Sequence, residues 1–435
     1  MPHLNETHAR LLIIGSEVIN GFIADTNSQF ISSQLFQSGI PLKEIRVIPD
    51  DKKSITGVLK EWVKTGDLII TTGGLGPTDD DLTVDILCKL MEVNAVFSKK
   101  SMVRVRKVIE RYKTSGSEFM QASFEQRLYR QCRIPENATA LPNPAGLAPG
   151  IFIPEYRIIS LPGFPLEIRG IWPYAEKKIR ENLKSHFLSA KFNIWGVIEG
   201  MIYESIKFPE EITVGNHSLP WGNQLFIKTA PENKENFLKI SSKIKKKFSP
   251  YILENPILAW IDYLKKNKLT FGTVESCTGG FAAKLLTDIP GVSDIFLGSV
   301  VSYDNSIKTR MIGVKEITLE TWGAVSRETA REMAAGGCRK LGSDIAISIT
   351  GIAGPSGGTK EKPAGTVYYG IFDKKQNVSY TGYAYFPLGR ERFRNAAVHF
   401  IFLALYQRYV YYGDENKWIN SEAGKNFMMG NNVDL

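Results

Sequence analysis

The stretch 269–286 restricts the possible folds of this 435-residue chain more than any other. Leu269-Thr270-Phe271-Gly272-Thr273-Val274 reads as a short strand rich in β-branched and aromatic residues, Glu275-Ser276-Cys277-Thr278-Gly279-Gly280 as a sharp turn, and Phe281-Ala282-Ala283-Lys284-Leu285-Leu286 as a helix. That order places Ser276, Cys277 and Thr278 at a helix N-terminus, where unpaired N–H groups and the helix dipole stabilise an alkoxide or oxyanion. Ser276 is therefore a candidate nucleophile. Cys277 beside it carries the intrinsically stronger one, so the pattern leaves both open. An ordinary Ser/Thr cap with glycines for close packing fits the same residues.

The N-terminal part alternates in the same way. Leu11-Leu12-Ile13-Ile14 is a continuous apolar run ending at Gly15, as in a buried parallel strand, and the loop 15–27 offers Glu17, Asp25 and Asn27 before a helix over 28–37. A helix over 54–64, a strand over 67–72, the loop Gly73-Gly74-Leu75-Gly76-Pro77-Thr78-Asp79-Asp80-Asp81 and a helix over 82–91 follow. This is the pattern of an α/β doubly wound domain with its site at the carboxyl ends of strands. Gly73, Gly74 and Gly76 let backbone amides approach a phosphate, with Thr78 beside them. Adjacent aspartates would repel a nucleotide unless a divalent cation such as Mg²⁺ bridged them, which makes Glu17, Asp80 and Asp81 candidate ligands. The same aspartates also fit as helix caps.

The length calls for two or three domains. With 43% hydrophobic and 23% charged residues the composition is that of an ordinary globular protein. No apolar run reaches about eighteen residues, and the first residues lack the basic-then-apolar design of a secretory signal, so no membrane partner is expected and the chain is placed in the cytoplasm. Cys88, Cys132, Cys277 and Cys338 lack C-x-x-C spacing, against a disulfide framework or zinc site. The net charge of +9 permits phosphate or nucleic-acid binding, but the basic run 239–247 has helical apolar spacing and reads as a solvated face, so nucleic acid is not an expected partner. Residues 172–254 read as a small α+β domain (helices over 176–190 and 235–248, strands over 191–199 and 225–228) without a chemical constellation; His217 and Trp221 fit surface or packing roles. The polar, aperiodic stretch 413–435 reads as a disordered tail.

Further motifs follow the Ser276 turn: Ser299-Val300-Val301-Ser302-Tyr303-Asp304-Asn305-Ser306-Ile307-Lys308, then Ile349-Thr350-Gly351-Ile352-Ala353-Gly354-Pro355-Ser356-Gly357-Gly358-Thr359, then Glu361-Lys362-Pro363-Ala364-Gly365-Thr366-Val367. Over 255–412 this set resembles the C-terminal domain of CinA-type proteins, the nicotinamide-nucleotide amidohydrolase family. Residues 15–27, 71–83, 141–150 and 161–165 resemble the molybdopterin-binding-like N-terminal domain of the same proteins, and 172–254 their small connecting domain. The resemblance implies domains over 1–171, 172–254 and 255–412, the last expected to fold and act alone. It implies hydrolysis of the nicotinamide mononucleotide carboxamide to nicotinate mononucleotide and ammonia without a cofactor, and a homodimer acting on small nucleotides. In some members the N-terminal domain is a metal-dependent ADP-ribose pyrophosphatase. Here Leu147 stands where Thr is usual, Phe164 where Pro or Val is usual, and 122–126 lacks the usual Asn-Arg-Lys-Gln-like segment. A nucleotide- or molybdopterin-binding, competence-associated module without catalysis is the alternative.

Amide hydrolysis needs a nucleophile, a base and oxyanion donors. His399, the only histidine in 255–412, lies in the apolar run 396–402, so a Ser-His-Asp triad lacks a base and a Ser-Lys pair is the simplest choice. The resemblance points to Lys308 as base to Ser276, with Tyr303 assisting. A lysine of ordinary pKa about 10.4 is neutral in roughly one molecule per thousand near pH 7.4, equivalent to about 4 kcal/mol, so Lys308 must be desolvated or set near another cation. Amides of Thr278, Gly279 and Gly280 are candidates for the oxyanion. Asn305 and the second glycine loop (Thr350, Gly351, Gly354, Gly357, Gly358) are candidates for substrate and its phosphate, as are Arg390 and Arg394, four apart on one helix face.

Overall fold

The computed structural model describes residues 8–114 and 122–429, so the N-terminal residues read for a signal and the end of the expected tail lie outside it. Two compact units are distinguished, 1–190 with 228–237, and 191–227 with 238–435.

In the first unit a six-stranded sheet runs in the order Leu42–Ile48, Ala9–Ile14, Leu68–Thr72, Ile158–Leu161, Gly150–Ile153, Thr139–Leu141. The first four strands are parallel, and the last two join antiparallel. Ala9–Ile14 and Leu68–Thr72 are buried along their whole length, as central strands covered on both faces must be. Leu11 and Ile13 pack with Leu35 and Ile171 in one core, Leu12 and Ile14 with Leu59, Trp62 and Ile86 in another, so the period-two alternation of one strand feeds two cores. The helix expected over 176–190 is Pro165–Asn182: Pro165 opens it, and Ile168, Ile171, Trp172, Ala175 and Ile179 make its buried stripe. The expected boundary after 171 thus falls within one helix.

In the second unit a five-stranded sheet runs Phe296–Val301, Phe271–Glu275, Ile345–Gly351, Thr366–Asp373, Val378–Tyr385, parallel for three strands and antiparallel for the last two. The Pro256–Asn267 and Arg390–Leu405 helices pack in the large core on one face, and Met333 of the Arg327–Leu341 helix meets Val274 and Ile312 on the other. A three-stranded sheet, in the order Thr213–Leu219, Gly222–Thr229, Leu188–Trp195, runs through 191–227. Among the described residues no helix is long and apolar enough to cross a membrane.

The expected disordered tail is folded through Met429, as the helices Glu415–Asn420 and Glu422–Met429. Its polar composition hides two anchors. Trp418 and Phe427 are 0% and 1% exposed, with Trp418 edge-on to Tyr380 at 5.3 Å and Phe427 stacked on Phe400 at 6.0 Å. Gly382 makes room, since a Cβ there would lie 2.5 Å from the Phe427 ring. A fragment ending at 412 therefore loses core rather than a loose end. Trp418→Ala is expected to lower stability by about 3–5 kcal/mol in urea unfolding, and a 255–412 fragment to be less stable than 255–429; equal midpoints would show the two helices to be dispensable.

Candidate active site

Ser276, Lys308 and the second glycine loop follow the carboxyl ends of three parallel strands. The Ser276 amide donates to the Ile349 carbonyl at 3.0 Å, and the Ser302 amide to the Glu275 carbonyl at 2.8 Å, so sheet pairing continues one residue past the strand ends and brings three loops together. After Ser276 the chain turns through Gly279 (φ +59°) and Gly280 (φ +91°), backbone angles that favour glycine, and the helix Phe281–Thr287 starts.

Lys308 lies in the Asn305–Ile312 helix, whose N-cap Asp304 accepts from the Ser306 amide at 2.8 Å. Its side chain is only 1% exposed. Nζ lies 3.3 Å from Ser276 Oγ, 2.8 Å from the Ser302 carbonyl and 3.1 Å from the Tyr303 carbonyl. Burial pushes its pKa below the ordinary lysine value, opposed by the nearby Asp304 carboxylate. The structure thus brings Ser276 and Lys308 together under the desolvation the pair requires. Cys277 is buried, and burial above all pushes its thiol up to about 12, with the Glu275 carboxylate adding to the shift and Lys308 and Arg390 opposing it. A thiolate nucleophile is disfavoured here.

Other expected residues are placed differently. The Tyr303 side chain is 63% exposed, and its hydroxyl accepts from Arg390 at 3.3 Å; the part of Tyr303 that reaches Lys308 is its carbonyl. The Gly279 amide is committed to the Ser276 carbonyl at 3.1 Å. The first helical amides are not open either: Glu275, fully buried, accepts from the Ala282 and Ala283 amides at 3.0 and 2.9 Å. Glu275 was not singled out in the sequence, although a carboxylate closing an apolar strand before a glycine turn is a signal for such an internal cap. Arg394 chelates the Thr278 carbonyl, with Nε at 2.9 Å, and so holds the turn. Arg390 is exposed and joins Tyr303 to the Gly354 carbonyl at 3.4 Å. Thr350 donates its hydroxyl to Ala324, and a Cβ on Gly351 or Gly358 would lie 2.6 Å from backbone of the neighbouring segment, so these three serve the loop's own packing. Asn305 is exposed at the start of its helix, and Gly354 and Gly357 take left-handed angles in the loop.

In the first unit the carboxyl-end loops also converge. Asn27 Nδ2 donates to the Gly163 carbonyl at 2.7 Å, the Gly73 amide donates to Leu161, and a Cβ on Gly73 would lie 2.1 Å from the Ile14 carbonyl. The loop's anion-binding capacity is used internally. Asp81 accepts from the Gly76 and Thr78 amides at 2.7 and 2.8 Å and from the Thr78 hydroxyl at 2.6 Å. Gly74 lets the chain pass Thr83, whose side chain would lie 2.2 Å from a Cβ there. Asp79 pairs with Arg130 at 2.7 Å, and the Thr78 hydroxyl holds the Asp80 carboxyl below its ordinary value. Glu17 is exposed. Among the described residues no three His, Cys, Asp or Glu side chains gather to hold a metal, so Glu17, Asp80 and Asp81 do not fit as a ligand set.

A probable molybdopterin-binding domain matches residues 10–178 and a CinA C-terminal domain matches 256–409, which defines the class. The chain belongs to the CinA family. It is 37% identical over 418 residues to a CinA-like protein of Leptospira interrogans, covering 92% of this chain and 97% of that one, and 33% identical over 378 residues to a CinA-like protein of Thermotoga maritima, covering 84% and 90%. A solved competence/damage inducible protein of Agrobacterium tumefaciens shares 37% identity, covers 34% of this chain and 93% of that one, and superposes with a TM-score of 0.33.

All four cysteines are buried. Native protein at pH 8 is therefore expected to resist a disulfide reagent on the minute timescale and to release four equivalents when unfolded in guanidinium; one fast-reacting native thiol lost in Cys277→Ser would show that Cys277 ionises.

Proposed function

We propose that the second unit hydrolyses the carboxamide of nicotinamide mononucleotide to nicotinate mononucleotide and ammonia, with Ser276 as nucleophile and Lys308 as base. The observation that carries this reading is the buried Lys308 amine at 3.3 Å from Ser276 Oγ. The Ser302 and Tyr303 carbonyls accept from the same nitrogen. In the neutral amine these two bonds use the two N–H groups, and the lone pair is left for the serine proton. Oγ then attacks the carboxamide carbon while Lys308 takes the proton. The protonated Lys308 returns it to the departing nitrogen, giving ammonia and an acyl-serine, and water attacks that ester with the neutral amine again as base. With the Gly279 amide committed, those of Thr278 and Gly280 are the candidates for the oxyanion, held in place by the Arg394 clamp on the Thr278 carbonyl. The exposed Arg390, beside the second glycine loop, suits the substrate phosphate. The metal-dependent pyrophosphatase reading of the first unit finds no comparable support in its aspartates.

Ammonia release from nicotinamide mononucleotide by the purified protein is the direct test, and a binding module without catalysis would release none. Ser276→Ala and Lys308→Ala are each expected to lower kcat by roughly 10³-fold or more, with the double variant little worse, because the pair acts as one unit. Lys308→Arg is expected to fail as well, since guanidinium stays protonated. The neutral amine is the active form, so kcat should rise with pH and level off above an apparent pKa lying below the ordinary lysine value of about 10.4. Retention of activity in Ser276→Ala with loss in Cys277→Ala would replace this mechanism by a thiolate one.

A further inference from the structure

The Arg390–Leu405 helix has two working faces. Arg394 clamps the Ser276 turn and Arg390 joins Tyr303 to the second glycine loop, whereas Arg392, Ala396, His399, Phe400 and Leu403, which share another stripe, line a separate cavity of about 410 Å³. The far wall is the tip of the 213–223 hairpin. Small-molecule pockets run from about 300 to 1,000 Å³ and are mostly aromatic with a few polar groups, so this cavity is of ligand size.

Its walls specify a chemistry. Trp221 stacks on Trp195 with centroids 3.8 Å apart and planes at 20°, and Trp195 stacks in turn on His399 at 5.4 Å. This stack leaves Trp221, half-buried, lining the cavity together with Tyr385, Phe386 and Phe400. A cavity lined by several aromatic rings favours a flat π-system. His399 Nδ1 lies 2.9 Å from the Asn395 carbonyl, which fixes the proton on Nδ1, and burial holds the imidazole below its ordinary pKa. Nε2 is then a lone-pair acceptor matched to an N–H donor on the ligand. Arg392 is exposed at the mouth and, among the described residues, makes no hydrogen bond or ion pair. Its charge is available to an anion. Glu199, the acid on the rim, accepts from Ser218 at 3.3 Å. Aromatic slot, acceptor and cation together describe an amino-substituted heteroaromatic base carrying a phosphate.

We propose that this cavity is a second small-molecule site, taking an aminopurine mononucleotide with its base between Trp221 and Phe400, its amino group toward His399 and its phosphate on Arg392. The site stands independently of the amidohydrolase reading, because it shares no residue with the Ser276 turn.

Isothermal titration of the full-length protein with adenosine monophosphate, adenosine and inorganic phosphate tests it, since none of the three has a carboxamide to hydrolyse. The wild-type chain should bind adenosine monophosphate and, more weakly, adenosine. Arg392→Gln should weaken adenosine monophosphate at least about tenfold and leave adenosine unchanged, the signature of a lost charge-assisted contact. Trp221→Leu should weaken both, and Arg390→Gln neither. Absence of heat with both nucleoside probes would overturn the proposal. So would binding that survives Arg392→Gln, whose exposed position leaves folding untouched, or binding lost only in Arg390→Gln, which would place the nucleotide at the Ser276 site. Inorganic phosphate binding as tightly as adenosine monophosphate would remove the role of the aromatic walls.

Discussion

The second unit is organised around a lysine amine held out of water. A lysine amine 1% exposed would be expelled or neutralised unless its hydrogens had partners, and here the partners are main-chain carbonyls of Ser302 and Tyr303. Main chain is the right choice. A carboxylate in those positions would hold the amine in its charged form, whereas neutral carbonyls satisfy its N–H groups without a full opposing charge. Asp304 two residues on supplies a carboxylate pull, and that carboxyl is exposed and occupied with capping its own helix. The placement of the Lys308 amine therefore depends on the chain path at 302–304, which in turn depends on the Ser302 amide reaching the Glu275 carbonyl. The proposed nucleophile and base are positioned by one register of one parallel strand pair.

The turn carrying Ser276 is fixed from three sides. Glu275 binds the start of the following helix, Ile349 takes the Ser276 amide, and Arg394 binds the Thr278 carbonyl from the Arg390–Leu405 helix. A charged donor aimed at Thr278 O orients that peptide plane, and with it the neighbouring amides that would face an oxyanion. Arg394 thus acts on the turn's geometry, while Arg390, free of such a clamp on the turn, remains at the surface.

The strands and the glycine turn were legible in sequence because each rests on local signals, continuous apolar runs and glycines where φ is positive, whereas Lys308 was set beside Ser276 by the family resemblance of motifs in order. What was illegible depends on side-chain direction and remote packing. Tyr303 contributes its carbonyl rather than its phenol, and residue type says nothing about which of the two turns inward. The helices after 413 read as disorder because two aromatics in a polar run carry most of their buried side-chain surface, and the room for Phe427 is made at Gly382, far off in sequence. The boundary at 171 failed for a similar reason: the stripe from Ile168 to Ile179 crosses it without a break.

Both glycine loops carry a further lesson about anion sites. In each unit a carboxylate of the chain already occupies amides that a phosphate would use: Glu275 on Ala282 and Ala283, Asp81 on Gly76 and Thr78. A glycine-rich turn followed by a helix gathers N–H groups, and an acidic residue within reach satisfies them more cheaply than an exchangeable ligand, because its loss of freedom is settled once on folding. Such a loop is rigid before any substrate arrives. In the second unit that rigidity holds the buried Ser276 hydroxyl at 3.3 Å from the buried Lys308 amine. In the first unit the same filling removes Asp81 from any ligand set and leaves Glu17 and Asp80 as separate, exposed acids. Glycine spacing alone therefore does not distinguish a phosphate cradle from a self-capped turn; the position of the nearest acidic side chain does.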